Sequence, residues 1–254
     1  MSGCDVRLRH VFQGDGRAVV VALDHGIDGV ELPKPEKLLK EIVEGGADAT
    51  IMTYGWANRY GHLLGRCGLF LSITTEEKDK ESCVLRALRI GAEGIKCITF
   101  SHKQDQGFAL TDTMRLAGVC REWNLALMTE MVPVSFEDKK AHTPKNIAEA
   151  AHMGVAVGGD ILKLHYTGSK ETFQPITDGV CLPILVLGGP RSNNVRDFFT
   201  SIKDAIDAGA SGVAIGRNVW GHQNPGRMAS ALSVIVHQNA TVDQAMKELE
   251  FTPR

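Results

Sequence analysis

The feature that most constrains this chain is a rhythm: short apolar runs return along the sequence, and segments of helical periodicity separate them. Eight runs read as strands, namely Ala18–Asp24, Ala49–Thr53, Leu69–Ile73, Gly94–Thr99, Leu125–Met131, Asp160–Leu164, Ile184–Leu187 and Gly212–Ile215. Between them, Pro35–Glu44, Lys78–Ile90, Thr111–Trp123, Pro144–Met153, Val195–Asp207 and Gly226–Val236 each carry one apolar stripe able to lie on a sheet. Three helical segments end in a small-residue signature just ahead of the next strand: Glu44-Gly-Gly-Ala-Asp48, Ile90-Gly-Ala-Glu-Gly94 and Ala208-Gly-Ala-Ser-Gly212. Glycine there can adopt the left-handed conformation that stops a helix, and the alanine can pack closely beneath the strand.

Alternation of this kind describes a parallel sheet wrapped by helices. The first strand ends in Leu23-Asp24-His25-Gly26 rather than in the glycine-rich turn of an open dinucleotide-binding sheet. Eight strands in this rhythm therefore predict an α/β fold, a single closed (β/α)8 TIM barrel. Residues 1–254 are expected to form that one domain, with a last helix at about 241–250. Thr241 begins this helix, which reads as a packing or oligomer element.

With 43% hydrophobic and 23% charged residues, the chain has ample apolar surface for one core. Its net charge is −2 and its basic residues are scattered, which argues against nucleic acid or an anionic membrane as a partner. The longest apolar runs, such as Ala18 to Leu23, fall far short of the roughly 20 residues that span a bilayer. The start, Met-Ser-Gly-Cys-Asp, has no secretory pattern. Six cysteines stand singly with no C-x-x-C pair, which speaks against a zinc site or a disulfide framework and for a reducing, cytoplasmic setting. Nine histidines, among them His25, His62, His102 and His165, form no H-x-H or H-E-x-x-H pattern, so no metal is expected.

In a barrel the active site lies where the strands end, which singles out Asp24, Glu130 and Lys163. Lys163 sits inside the apolar strand Asp160-Ile-Leu-Lys-Leu164, where its ammonium must enter a low-dielectric interior or the helix layer. Desolvation disfavours the charged form and can bring a lysine to roughly pKa 7–8, leaving free amine to attack a carbonyl. Such a lysine can also snorkel to the rim or pair with Asp24 for structure alone. Asp24 on the mouth side can orient the lysine and relay protons, with His25 as the second proton carrier; strand alternation allows one of the two to face the centre. The last two strands end in Leu187-Gly-Gly-Pro-Arg191 and Ile215-Gly-Arg-Asn218. Loops at these places commonly bind phosphate, because glycine lets backbone N–H groups approach the anion, and Arg191 and Arg217 can add charge.

At these residues the chain resembles the archaeal-type class I fructose-bisphosphate aldolases. That group also includes 2-amino-3,7-dideoxy-heptulosonate synthases and the thiolase that degrades phosphorylated autoinducer-2. The matching stretches are Ala22-Leu-Asp-His-Gly26, Gly159-Asp-Ile-Leu-Lys-Leu-His-Tyr-Thr-Gly168, Pro183-Ile-Leu-Val-Leu-Gly-Gly-Pro190 and Gly209-Ala-Ser-Gly-Val-Ala-Ile-Gly-Arg-Asn-Val-Trp220. The resemblance implies that Lys163 is the Schiff-base lysine and Asp24 the active-site aspartate, with Gly188, Gly189, Gly216 and Arg217 as the phosphate cradle. It also implies a homo-oligomer, often a decamer, and neither metal nor other cofactor.

One departure bears on mechanism. Aldolases of the family carry a tyrosine general acid in a Tyr-Pro-Arg-Gly-like turn after strand five, where this chain reads Met131-Val132-Pro133-Val134. Glu130 shares strand parity with Val132 and can substitute, as can Tyr54 or Tyr166. The expectation is a Schiff-base aldolase-like enzyme that cleaves or forms a C–C bond in a small phosphorylated ketose. An acyl-transfer (thiolase) or transaldol-type reaction using the same lysine stands beside it. From another class stands a phospho-sugar-binding protein whose catalysis decayed with the tyrosine.

Overall fold

The computed structural model describes residues 3–25, 32, 34–74, 77–101 and 107–251, the side chains of 107–109 excepted. Gly26 and His102, both singled out above, lie outside them. Eight parallel strands close in sequence order: β1 (Ala18–Ala22), β2 (Ala49–Met52), β3 (Gly68–Ile73), β4 (Gly94–Phe100), β5 (Ala126–Val132), β6 (Ile161–Leu164), β7 (Ile184–Leu187) and β8 (Gly212–Ile215). β8 pairs back to β1 through Ala18↔Gly212, so the fold is a single (β/α)8 TIM barrel.

Alternation along the strands divides the core in two. Val20, Ile51, Phe70, Met128, Ile161, Leu185 and Ala214 point inward and fill the barrel, while their strand neighbours meet the helices. Counting on by twos from this inner set, Ser72, Glu130, Lys163 and Gly216 lie one layer nearer the C-terminal mouth, and Lys96 of β4 faces the axis too, since its neighbours Ile95 and Cys97 belong to the outer core. A short helix, α1 (Gly3–Leu8), lies under the opposite end, where Cys4, Leu8, Val11 and Phe12 join the inner core.

The helices of the outer layer are α2 (Pro35–Glu44), α3 (Tyr54–Tyr60), α4 (Lys80–Arg89), α5 (Gly107–Glu122), α6 (Pro144–Ala156), α7 (Lys170–Gly179), α8 (Val195–Asp207), α9 (Arg217–Trp220), α10 (Pro225–Gln238) and α11 (Val242–Glu250). α2 and α8 have the bounds read from the sequence. The small-residue turns behave as expected: Gly46, Gly91 and Gly209 have φ of 87°, 73° and 96°, and Ala47, Ala92 and Ala210 behind them are buried. α3 and α7 were not anticipated. α7 carries Pro175 in its interior and ends at Gly179, both of which mask a helical signal. α11 begins with a capping box between Thr241 and Gln244 and packs on α8 and α10, with Arg196 bonded to Asp243 and both Arg227 and Ser230 to Glu248. No helix among the described residues is long and apolar enough to cross a membrane.

Candidate active site

Four charged side chains meet inside the barrel mouth, and all four are buried. Register explains the meeting. Lys96 on β4 pairs with Ser72 on β3, and Glu130 on β5 pairs with Lys163 on β6, so three inward charges arise from adjacent strands. Asp24, two residues past the end of β1, reaches over to them. The contacts run in a line: Asp24 Oδ2 to Lys96 Nζ is 2.9 Å, Lys96 Nζ to Glu130 Oε2 is 2.8 Å, and Glu130 Oε1 to Lys163 Nζ is 2.9 Å. The Ser72 hydroxyl donates to Asp24 Oδ2 at 2.7 Å.

The order of this line decides the protonation state of each group. Lys96 lies between two carboxylates; burial works against its charge, but Glu130 and Asp24 outweigh that and hold its pKa above the usual lysine value. Lys163 touches one carboxylate and feels the Lys96 cation. Burial, with that like charge, outweighs Glu130 and lowers its pKa. Burial alone would raise Asp24, yet Lys96, Lys163 and the Ser72 hydrogen bond hold it well below the ordinary carboxylate range. For Glu130 too, burial is outweighed by Lys163 and Lys96, and its pKa is lowered. Of the two lysines in this line, Lys163 is thus the one that gives up its proton more readily.

The sequence reading placed Asp24 beside the nucleophilic lysine. The carboxylate in contact with Lys163 is instead Glu130, and Asp24 binds Lys96. Lys96 is an addition from the structure, although Gly94-Ile-Lys-Cys-Ile98 carries the same sequence signal as the Lys163 strand, a lysine within an apolar run. The alternation argument for Asp24 and His25 also needs amendment, because β1 ends at Ala22 and the chain turns there. Both residues remain at the mouth, with His25 Nδ1 3.7 Å from Asp24 Oδ1 and its ring edge-on to Trp220 at 5.5 Å.

The loops after β7 and β8 lie side by side. A Cβ at Gly188 would come within 2.8 Å of Ile215, and one at Gly216 within 2.5 Å of His25 and 2.8 Å of the Ala22 carbonyl, so both positions require glycine. Gly189 has φ 63°. Asn218 fastens the loops together: its Nδ2 donates to the carbonyls of Gly188 at 2.9 Å and Pro190 at 3.1 Å, and its Oδ1 accepts from the Ser192 N–H at 2.7 Å. Arg217 is exposed beside them.

At the end of β5, Val132 is buried, and strand parity with Ala126 and Met128 turns it toward the axis, where the family's tyrosine is expected. Neither Tyr54 nor Tyr166 fills the gap. Tyr54 is exposed at the start of α3 under Arg86, and Tyr166 points into the helix layer against Phe173 of α7. Among the described residues no three His, Cys, Asp or Glu side chains gather as a metal-binding cluster.

The sequence pattern of the DeoC/LacD family aldolases matches residues 18–222, all eight strands included. The chain belongs to this aldolase family. An uncharacterised aldolase of Saccharolobus solfataricus is 27% identical, covering 98% of this chain and all of its own length. A 2-amino-3,7-dideoxy-D-threo-hept-6-ulosonate synthase of Halobacterium salinarum is 31% identical, covering 96% of each chain. A Schiff-base-forming fructose-1,6-bisphosphate aldolase shares the fold with a TM-score of 0.79 at 24% identity, over 92% of this chain and all of its own. The protein is therefore an aldolase-like enzyme of the DeoC/LacD family.

Proposed function

We propose that this aldolase condenses the keto group of a small phosphorylated ketose with Lys163 and makes or breaks the adjacent C–C bond through the resulting iminium. The observation that carries the proposal is the buried line Asp24–Lys96–Glu130–Lys163, in which one lysine is kept charged and the other is eased toward the free amine. Glu130 takes the proton of Lys163 and returns it to the hydroxyl that leaves as water when the carbinolamine becomes an imine. The iminium then accepts the electron pair of the breaking C–C bond. Lys96 stays cationic, keeps Asp24 and Glu130 ionised and keeps Glu130 aimed at Lys163.

The phosphate is assigned to Gly188, Gly189, Gly216 and Arg217. Strand order supports this, since Lys163 is in register with Leu185, three residues before Gly188. A Streptomyces griseus relative, 28% identical over 93% of this chain, is a 2-amino-4,5-dihydroxy-6-oxo-7-(phosphonooxy)heptanoate synthase. In the compound of that name the keto carbon neighbours the carbon bearing phosphate, which is the spacing a lysine beside a phosphate loop can serve. Val132 in place of a tyrosine favours keeping acyl or aldol transfer on the same lysine as a second reading.

The direct test is turnover of a panel of phosphorylated ketoses beside their unphosphorylated forms, with aldehyde release or transfer to added acceptors as readout. C–C cleavage or transfer confined to the phosphorylated members is expected, with Arg217→Ala raising KM more than it lowers kcat. Equal use of the unphosphorylated ketoses would overturn the phosphate assignment.

A further inference from the structure

Above Lys163 the structure builds a second polar feature that the imine chemistry does not use. His165 is two residues beyond Lys163, just past the end of β6, and lies close enough to Lys163 and Glu130 to feel both charges. Its Nδ1 is buried and has no hydrogen-bond partner among the described residues. The ring of His142 lies against it with centroids 3.9 Å apart, and Phe136 flanks it at 6.1 Å. A buried ring nitrogen without a partner is costly unless something polar meets it.

The loop that lacks the tyrosine is what holds this ring in place. Pro133 and Ser135 close a γ-turn, with the Ser135 N–H donating to the Pro133 carbonyl at 2.7 Å, and Val134 at its centre has φ 58°. A β-branched residue rarely accepts that conformation, and strain of this kind gathers at functional sites. The turn aims the Ser135 carbonyl at His142, which donates its Nε2–H to it at 2.8 Å. His142 so fixed lies tilted against His165. Burial and the neighbouring His142 push the His165 pKa down to about 4, while Glu130 and Lys163 are near enough to bear on it. The ring is therefore neutral near pH 7, with a lone pair on one of its nitrogens.

Resting on the Schiff-base reading, we infer that His165 is the catalytic base for the second reactant: its ring nitrogen receives the hydroxyl proton of a hydroxyaldehyde unit as the C–C bond breaks. The O–H pair becomes the aldehyde C=O, the C–C pair moves to the iminium and leaves an enamine on Lys163, and the proton resides on His165. In the condensing direction the same proton returns to the new alkoxide. Glu130 serves the nitrogen side of the reaction and His165 the oxygen side, so the missing tyrosine is replaced from the next strand.

The test uses wild type, His165→Phe, which keeps an aromatic ring against His142, and His165→Gln, which keeps a hydrogen bond without the base. Two readouts are compared: the borohydride-trapped adduct with dihydroxyacetone phosphate, and condensation of that ketose with glycolaldehyde, glyceraldehyde or glyceraldehyde 3-phosphate. Full adduct formation with condensation slowed roughly 10²–10⁴-fold in both variants is expected. Condensation at the wild-type rate in either variant overturns the inference and leaves the Lys163 chemistry standing, as does a wild type that forms the adduct but condenses none of the three aldehydes. A wild type that forms no adduct overturns the Schiff-base reading itself, and this inference with it.

Discussion

Lys96 touches two carboxylates and Lys163 touches one, and from that asymmetry follow both the choice of nucleophile and a stability prediction. Removing Lys96 would leave Asp24 and Glu130 buried without their shared cation, a change that typically costs about 3–5 kcal/mol. Lys96→Met should therefore lower the melting temperature clearly and reduce kcat. The cost is the unpaired charge rather than lost packing, and Glu130 keeps Lys163, so adding Asp24→Asn to Lys96→Met should restore part of the stability. A double-mutant cycle by denaturant unfolding checks this; strictly additive losses would show that Asp24 and Lys96 are not energetically coupled.

At the scale of elements, the end of the barrel opposite the site is tied by another charged cluster. His237, on the last turn of α10, has Nδ1 2.9 Å from Asp15 ahead of β1 and Nε2 2.9 Å from Asp48 at the start of β2. The same Asp48 accepts from Gln13 and from the Val19 N–H, and Arg17 donates to the Val236 carbonyl. The hydrogen bond that His237 donates to Asp48, opposed by burial and aided by Asp15, raises the His237 pKa. The sign follows from linkage: a raised folded pKa stabilises fully below the unfolded value of about 6.5, and the gain is lost as pH rises through the folded value. Melting temperatures of wild type and His237→Gln should differ most near pH 6 and converge toward pH 9. A gap that widens with pH would mean that His237 is neutral in the folded protein.

Over the whole molecule, the barrel was legible because its strands are buried on both faces and its turns repeat a glycine-alanine signature; β7 and β8 have the bounds read from the sequence. Helices whose composition argues against a helix were not legible, as with α7 and its Pro175. In the site, Lys163, Glu130 and Asp24 stood out as charges in or beside apolar strands, and the structure brings all three together. What sequence cannot supply is pairing across strands, since register sets it. Asp24 was therefore matched to the wrong lysine, Lys96 was passed over, and the contact between His142 and His165, which are 23 residues apart, had no local signal.

The central claim is that Lys163, and not its buried neighbour, forms the covalent intermediate. Borohydride reduction in the presence of dihydroxyacetone phosphate and a panel of phosphorylated ketoses, followed by intact mass and peptide mapping, addresses it directly. The account predicts one adduct per chain, located on Lys163 and absent in Lys163→Met. An adduct located on Lys96, or none with any ketose of the panel, would contradict it.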